Sequence, residues 1–214
     1  MKALLLNGPG KPFSIETIKD PTPEKGYAVA KVLACGSGLT IQHVKAGRIT
    51  VNYPRIIGHE IVGEIVEING QWGDLEIGTP VTAFFYLTCG HCRWCNIDRE
   101  TLCDNFRGYI GREIDGGYAE YIKLPIENFI KIPEEIDYKN NLLETAVVCD
   151  AVATPLKIIK KARISSFDKV GVIGAGGGLG IHMLKMLKLN NISAIGIDTK
   201  TEKFCINSYR GYIV

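Results

Sequence analysis

The sequence lacks the features that mark secreted, membrane-bound and nucleic-acid-binding proteins. Its 25 basic and 23 acidic residues leave a net charge of +2, too small an excess to attract a nucleic acid or a membrane surface. The N-terminus has only four consecutive apolar residues, Ala3 to Leu6, whereas a signal peptide needs about 7–15. No run approaches the roughly 18 apolar residues of a membrane span. These absences predict a cytoplasmic protein with no membrane or nucleic-acid partner.

The composition is that of an ordinary globular protein. Hydrophobic residues make up 46% of the 214 residues and charged residues 22%, which excludes intrinsic disorder and collagen. The length suits one large domain, or one complete domain and part of another. Residues 1–150 have a net charge of −5 and residues 151–214 a net charge of +7, which favours two units. The basic end is explained either by acidic residues encoded further along or by a surface that attracts an anionic cofactor.

Hydrophobic periodicity changes at a similar point. Up to residue 130, short apolar or alternating runs separated by Gly, Pro and Asn predict an all-β unit. The clearest strands are predicted at residues 2–6, 27–34, 61–68, 81–86 and 118–124. From Leu142 to Ile159, apolar residues recur every three or four positions and predict one long helix. The opening of a parallel α/β sheet is then predicted, with strands at residues 169–173, 193–198 and 212–214 and helices at residues 179–189 and 199–207.

Four of the seven cysteines lie within fifteen residues, at Cys89, Cys92, Cys95 and Cys103. Four thiolates complete a tetrahedral zinc site, and this tight spacing lets one loop surround the ion. A redox function is disfavoured, because redox Cys-x-x-Cys pairs begin a helix after a strand and these pairs overlap in a predicted loop. We therefore predict a structural zinc lobe over about residues 88–105, with no open position for catalysis and with His91 as a bystander.

A glycine-rich loop follows the predicted strand at residues 169–173. Glycines let the backbone turn tightly and approach a pyrophosphate, which then lies on the N-terminus of the next helix. The candidate cofactor-binding residues are Gly174, Gly176, Gly177, Gly178, Leu179 and Gly180. Asp198 ends the next strand, where a carboxylate accepts hydrogen bonds from the adenosine ribose and repels a ribose phosphate. The pattern predicts NAD(H) rather than NADP(H), although Asp198 also suits a helix N-cap.

Three motifs in order resemble those of the zinc-containing medium-chain alcohol dehydrogenase family. They are the four-cysteine cluster, the segment 54–66 that contains Gly58-His59-Glu60, and the segment 115–121. The resemblance extends through essentially the whole chain. It implies a GroES-like β-barrel catalytic domain over residues 1–150. It also implies, over residues 151–214, a linker helix and the first half of an NAD-binding Rossmann domain, so that the fold class is β followed by α/β.

The resemblance implies a second, catalytic zinc that polarises the substrate oxygen, with the ligands His59, Glu60 and Asp150. Gly38 stands where the family has a cysteine ligand, and Cys35, three residues upstream, would need a different backbone to reach the metal. Cys149 is an alternative to Asp150. Two interpretations stay open, namely an oxygen-rich zinc site and a metal-free site like that of the family's zinc-free reductases.

Thr40 and His43 match the proton relay of the family. They are three residues apart and would share one face of a helix. In the family, the hydroxyl takes the alcohol proton and passes it through the cofactor ribose to the imidazole. Thr154 and Lys203 match positions that contact the cofactor.

The leading hypothesis is an NAD(H)-dependent oxidoreductase that acts on a small alcohol or carbonyl substrate. The alternatives are a zinc-free reductase of activated alkenes or quinones and a non-catalytic zinc-stabilised fragment. A complete dinucleotide domain has the strand order 3-2-1-4-5-6, and Val214 would close strand 3. We therefore expect a truncated chain that is inactive alone. Strand 1 would be an exposed edge, through which the chain would aggregate or bind a partner. The resemblance also implies that the chain lacks the sheet edge through which the family forms homo-oligomers.

Overall fold

The computed structural model describes residues 1–200 and Lys203, which form two compact units divided between Cys149 and Asp150. The first unit contains antiparallel sheets and the second a parallel pair of strands. Each unit has its own hydrophobic core. Across the described part of the chain, no helix has both the length and the apolar character that crossing a membrane requires.

The first unit is built mainly from short antiparallel strands. These are β1 (Lys2–Leu6), β2 (Phe13–Thr17), β3 (Tyr27–Cys35), β4 (Arg55–Ile56), β5 (Ile61–Asn69), β6 (Pro80–Ala83), β7 (Tyr121–Pro125) and β8 (Phe129–Lys131). One sheet has the order β2-β1-β4, and the other has the order β7-β3-β5-β6-β8. Side chains alternate between the two faces of a strand, so that residues such as Ala30, Ile65 and Ile122 share one buried core.

The predicted strands at residues 2–6, 27–34 and 61–68 are confirmed, whereas two others are wrong at one end. The strand predicted at residues 81–86 ends at Ala83, and the one predicted at residues 118–124 begins only at Tyr121. Beyond Ala83 the chain leaves the sheet, and Tyr86 forms an isolated bridge with Tyr109. The residues directly after Ala83 are still apolar because their aromatic side chains pack on one another. In the sequence, this apolar run therefore looks like a longer strand.

The helices are α1 (Leu39–Lys45), α2 (Leu142–Ala146), α3 (Ala153–Ala162) and α4 (Gly178–Leu189). The single long helix predicted from Leu142 to Ile159 is wrong, because a π-helical segment, Val148–Val152, separates α2 from α3. Pro155 has no amide hydrogen, and its ring clashes with the carbonyl group four residues earlier in a regular α-helix. A wider π turn before Pro155 absorbs this irregularity.

The second unit contains strands β9 (Lys169–Ile173) and β10 (Ser193–Ile197), which pair in parallel and are connected through α4. The predictions for these three elements are confirmed to within one residue at each end. Their core consists of Ile159, Val172, Ala175, Leu184, Leu187 and Ile192. The predicted helix at residues 199–207 and the predicted strand at residues 212–214 lie outside the described residues, except for Thr199, Lys200 and Lys203.

Candidate functional site

The four clustered cysteines converge on one point. Their Sγ atoms all lie within 4.8 Å of one another. In the described part of the chain, they are the one group of three or more His, Cys, Asp or Glu side chains that could hold a metal ion together. The Sγ atoms of Cys92 and Cys95 are 3.5 Å apart, those of Cys92 and Cys103 4.0 Å, and those of Cys103 and Cys89 3.5 Å. A tetrahedral zinc ion with Zn–S bonds of about 2.3 Å separates its ligand atoms by about 3.8 Å. The cluster therefore fits zinc.

Two single-turn helices and two left-handed residues bend the chain around this cluster. The turns are Cys95–Ile97 and Glu100–Leu102, and the left-handed residues are Gly90 and Asp98. Hydrogen bonds, the largest from the His91 backbone, lower the pKa of Cys89 to about 6, whereas burial raises the pKa of Cys95 to about 11. Zinc would hold all four as thiolates. Nδ1 of the His91 ring lies 2.6 Å from the Cys89 carbonyl oxygen, so the ring gives this backbone group a hydrogen-bond partner.

His59 and Glu60 lie where the segment 54–66 meets the segment 115–121. Asp115, in the segment 115–121, accepts a hydrogen bond of 2.8 Å from the Arg55 guanidinium and one of 3.3 Å from the backbone amide of Ile56. Gly58 has a φ of +97°, and its carbonyl oxygen accepts a hydrogen bond of 2.9 Å from the backbone amide of Gly117 in the segment 115–121. The His59 ring packs on Phe85, with 5.0 Å between ring centroids, while Glu60 is buried. Nothing in the sequence pointed to Phe85, because this contact arises from tertiary folding.

Gly36 and Gly38 follow β3 beside Glu60. The Gly36 amide donates to the Glu60 carbonyl oxygen at 2.7 Å, and a Cβ atom on Gly36 would lie 2.5 Å from the Glu60 Oε2. A Cβ atom on Gly38 would lie 3.8 Å from the same oxygen, an ordinary contact. The Glu60 carboxylate therefore lies next to the position where the family has a cysteine ligand.

Cys35 is enclosed beneath two glycines. Its Sγ lies 2.8 Å and 3.0 Å from the positions that Cβ atoms on Gly58 and Gly117 would take, and it donates to the Gly36 carbonyl oxygen at 3.8 Å. Burial, reinforced by the nearby Cys149 and Glu60, raises the pKa of Cys35 far above its ordinary value of 9.0. The side chain is therefore a protonated thiol in the folded protein.

We expect this thiol to make the first unit less stable at alkaline pH. Above about pH 9 the thiol ionises in the unfolded chain but keeps its proton in the folded one, so the free energy of unfolding falls by about 1.4 kcal/mol per pH unit. Urea unfolding between about pH 8 and pH 10 measures this slope. Cys35→Ala lowers stability at every pH but removes this contribution to the slope. An unchanged slope in the variant would show that Cys35 does not cause it.

The predicted relay residues lie on α1, which begins directly after Gly38. Thr40 and His43 are one turn apart, as the sequence predicted. The Arg48 guanidinium lies 3.3 Å from Nδ1 of His43. Because an arginine can only donate, this contact makes Nδ1 an acceptor and leaves the ring proton on Nε2.

In the second unit, the glycine loop connects β9 to α4. Gly174 has a φ of +75°, its amide donates to Ile197 at 2.8 Å, and its carbonyl oxygen accepts the Gly177 amide at 2.9 Å. A Cβ atom on Gly180 would lie 2.7 Å from the Cα of Ala175, so only glycine allows the helix to pack this closely on the loop. The first helical amides, those of Gly178, Leu179 and Gly180, therefore lie beside the loop.

Asp198 lies next to the glycine loop at the end of β10. Its Oδ2 accepts the Gly176 amide at 2.9 Å and its Oδ1 the Lys200 amide at 3.2 Å. These hydrogen bonds, chiefly that from Gly176, lower the pKa of Asp198 below its ordinary value, so the carboxylate is ionised. Lys203 packs over Gly176, because a Cβ atom added to Gly176 would lie 2.5 Å from the Cβ atom of Lys203. Elsewhere in this unit, the Thr154 hydroxyl donates to Asp150 at 2.8 Å.

An antiparallel β unit with a four-cysteine lobe, together with a glycine-loop α/β unit, is the architecture of medium-chain dehydrogenases and reductases. Residues 24–134 match the model of the alcohol dehydrogenase GroES-like domain family, and the chain belongs to this family. The predicted fold class and the family resemblance are confirmed.

Known proteins resemble the chain over nearly its whole length. An acryloyl-coenzyme A reductase of Sulfurisphaera tokodaii is 30% identical over 100% of this chain and 64% of its own length. An alcohol dehydrogenase of Geobacillus stearothermophilus is 33% identical over 95% of this chain and 59% of its own length. The alcohol dehydrogenase structure from Aeropyrum pernix has a TM-score of 0.90 and 29% identity, covering 100% of this chain and 64% of that one. The chain thus spans less than two thirds of these relatives.

Proposed function

We propose that the chain binds NAD(H) and belongs to an oxidoreductase that moves a hydride between this cofactor and a small alcohol or carbonyl compound. The observation that carries the proposal is the glycine loop with Asp198 beside it. The loop opens onto the N-terminus of α4, and a Cβ atom on Gly178 would meet nothing within 4 Å. Such a cradle fits a pyrophosphate.

Residues 151–214 would form the cofactor domain and residues 1–150 the catalytic domain, a division supported by the boundary between the compact units. The amides of Gly178, Leu179 and Gly180 would hold the pyrophosphate. Asp198 would accept the ribose hydroxyls, with Lys203 and Thr154 as further cofactor contacts. When bound, NAD(H) supplies or accepts the hydride.

In alcohol chemistry, a zinc ion on His59, Glu60 and Asp150 would polarise the substrate oxygen. Thr40 would take the alcohol proton and His43 would receive it, a role supported by their positions one turn apart on α1. The second zinc, in the cysteine lobe, would have a structural role because all four of its positions are filled by protein.

The second candidate is reduction of an activated alkene without a catalytic metal. Gly38 favours it, because glycine provides no ligand atom at a position where the family has a cysteine. Two relatives named acryloyl-coenzyme A reductase support the same chemistry. A conjugated carbonyl group, or a quinone, accepts a hydride at carbon with less help from a metal.

Replacement of Asp198 tests the cofactor assignment. We expect Asp198→Ala to weaken NADH binding by roughly 10–100-fold, because hydrogen bonds to a charged group contribute about 1.5–3 kcal/mol. Binding of NADPH should weaken less, since the carboxylate that repels the ribose phosphate is also lost. Titration calorimetry with both cofactors measures the change.

Asp168→Ala is the matched control, because this exposed carboxylate of the same unit bonds only locally, to Ser165. It should leave both affinities unchanged. Equal NADH affinity in wild type and Asp198→Ala would contradict the role of Asp198. A wild-type chain that binds zinc but no NADH would instead support a non-catalytic zinc-stabilised unit.

A further inference from the structure

Gly38 lacks the ligand that the family's catalytic zinc has at this position. Among the described residues, ligand atoms of three or more His, Cys, Asp or Glu side chains come within 4.8 Å of one another at the cysteine lobe alone. Zinc is held in proteins by sulfur, nitrogen and carboxylate oxygen atoms, and a thiolate is among its strongest ligands. Gly38 lies in extended backbone, with φ −92° and ψ −175°, directly before α1. The backbone at this position is therefore that of an ordinary residue, and only the side chain is lacking.

Gly36 and Gly38 differ in the space around them. At Gly36, a Cβ atom would lie 2.5 Å from the Glu60 Oε2 and 3.0 Å from a Val147 side-chain atom, so a larger residue is excluded. At Gly38, the one atom within 4 Å of a Cβ atom would be the same Glu60 oxygen, at 3.8 Å. Packing thus explains the first glycine but not the second, where a Cβ atom has room.

The two other cysteines near Glu60 are held in contacts of their own. Cys35 is partly buried and packs beneath Gly58 and Gly117, against the core of the first unit. The Cys149 thiol donates to the His59 carbonyl oxygen at 3.7 Å and to the Ala146 carbonyl oxygen at 3.8 Å. A move of either thiol to replace the missing ligand would break contacts that the structure shows.

We propose that the centre at His59 works without a catalytic metal because position 38 provides no thiolate, and that its substrate is an α,β-unsaturated carbonyl compound. The inference rests on the proposed NAD(H)-dependent function and selects the alkene among its two chemistries. Without a Lewis acid, the negative charge left by hydride addition must be stabilised by the substrate itself. Conjugation does this by spreading the charge over an enolate.

The reaction balances with NADH as the reductant. A C–H bond forms at the β-carbon with the hydride from NADH, and the electron pair of the C=C bond moves to give the enolate. A proton from water then forms the C–H bond at the α-carbon. The alkene is reduced to a saturated carbonyl compound, and NADH is oxidised to NAD⁺.

Zinc content and acceptor choice test the inference together. We expect wild type to hold one zinc per chain, Gly38→Cys two, and the matched control Gly38→Ala one, by mass-spectrometric metal analysis of the folded proteins. Two zinc ions in wild type, or one in Gly38→Cys, would overturn the inference. With NADH, turnover of an α,β-unsaturated ketone but not of its saturated analogue supports it. Turnover of the saturated analogue, or of neither ketone by a chain that binds NADH, overturns the substrate assignment. Absence of NADH binding would instead count against the proposed function, and the metal analysis would still decide the inference.

Discussion

Replacement of Cys103 by serine will abolish zinc binding and strongly destabilise the first unit. The four Sγ atoms lie at tetrahedral spacing, and a hydroxyl group is a much poorer zinc ligand than a thiolate. If free zinc is about 1,000-fold above the dissociation constant, bound zinc stabilises the fold by about 4.1 kcal/mol. Losing it should lower the melting temperature by on the order of 10 °C, measured by circular dichroism alongside metal analysis.

His91→Ala is the matched control, because His91 lies in the same loop and bonds to the Cys89 carbonyl oxygen. It should keep one zinc per chain and most of the stability. Retention of zinc by Cys103→Ser would show that the ion is held elsewhere. Loss of zinc in His91→Ala would mean that the histidine acts as a ligand.

Gly180→Ala will destabilise the second unit and weaken NADH binding by more than about 10-fold. The new Cβ atom would lie 2.7 Å from the Cα of Ala175 and 2.9 Å from its carbonyl carbon, both backbone atoms that cannot rotate away. The loop and α4 must separate, at a cost of about 1–3 kcal/mol, and the phosphate cradle is distorted. Hydrogen exchange of the α4 amides measures the stability, and calorimetry measures the affinity.

Gly178→Ala provides the control within the same helix. A Cβ atom there meets nothing within 4 Å, and alanine is favoured over glycine in a helix by about 0.5–1 kcal/mol. Exchange protection of α4 should therefore stay constant or rise. If both alanine variants lose protection equally, the loss would not come from the contact between Gly180 and the loop.

Both of these sites are local in the chain, which is why the sequence predicted them. A tetrahedral cysteine cluster needs only four thiols on one flexible loop, and Cys89 to Cys103 meet that condition within fifteen residues. The turn from β9 into α4 likewise requires glycine at a left-handed position, Gly174, and at a close contact, Gly180. Short apolar or alternating runs bounded by turn residues also predicted β1, β3 and β5.

Other features depended on packing between distant segments. The long helix predicted from Leu142 is interrupted before Pro155, and the aromatic run after Ala83 leaves the sheet to pack on itself. Periodicity reports which residues are apolar but not which neighbours cover them, so it could not separate these cases from a continuous helix and a longer strand.

The sequence by itself determined the family, the cysteine cluster and the glycine loop, because each depends on residue type and short-range spacing. Only the tertiary structure showed that Glu60 lies against Gly36 and Gly38 and that Cys35 is enclosed beneath Gly58 and Gly117. These contacts join residues more than twenty positions apart, and the pairing of β3 with β5, which ends at Cys35 and Ile61, brings the segment after β3 beside Glu60. Residue identity shows that a ligand is missing at position 38, but only the fold shows whether another side chain can replace it.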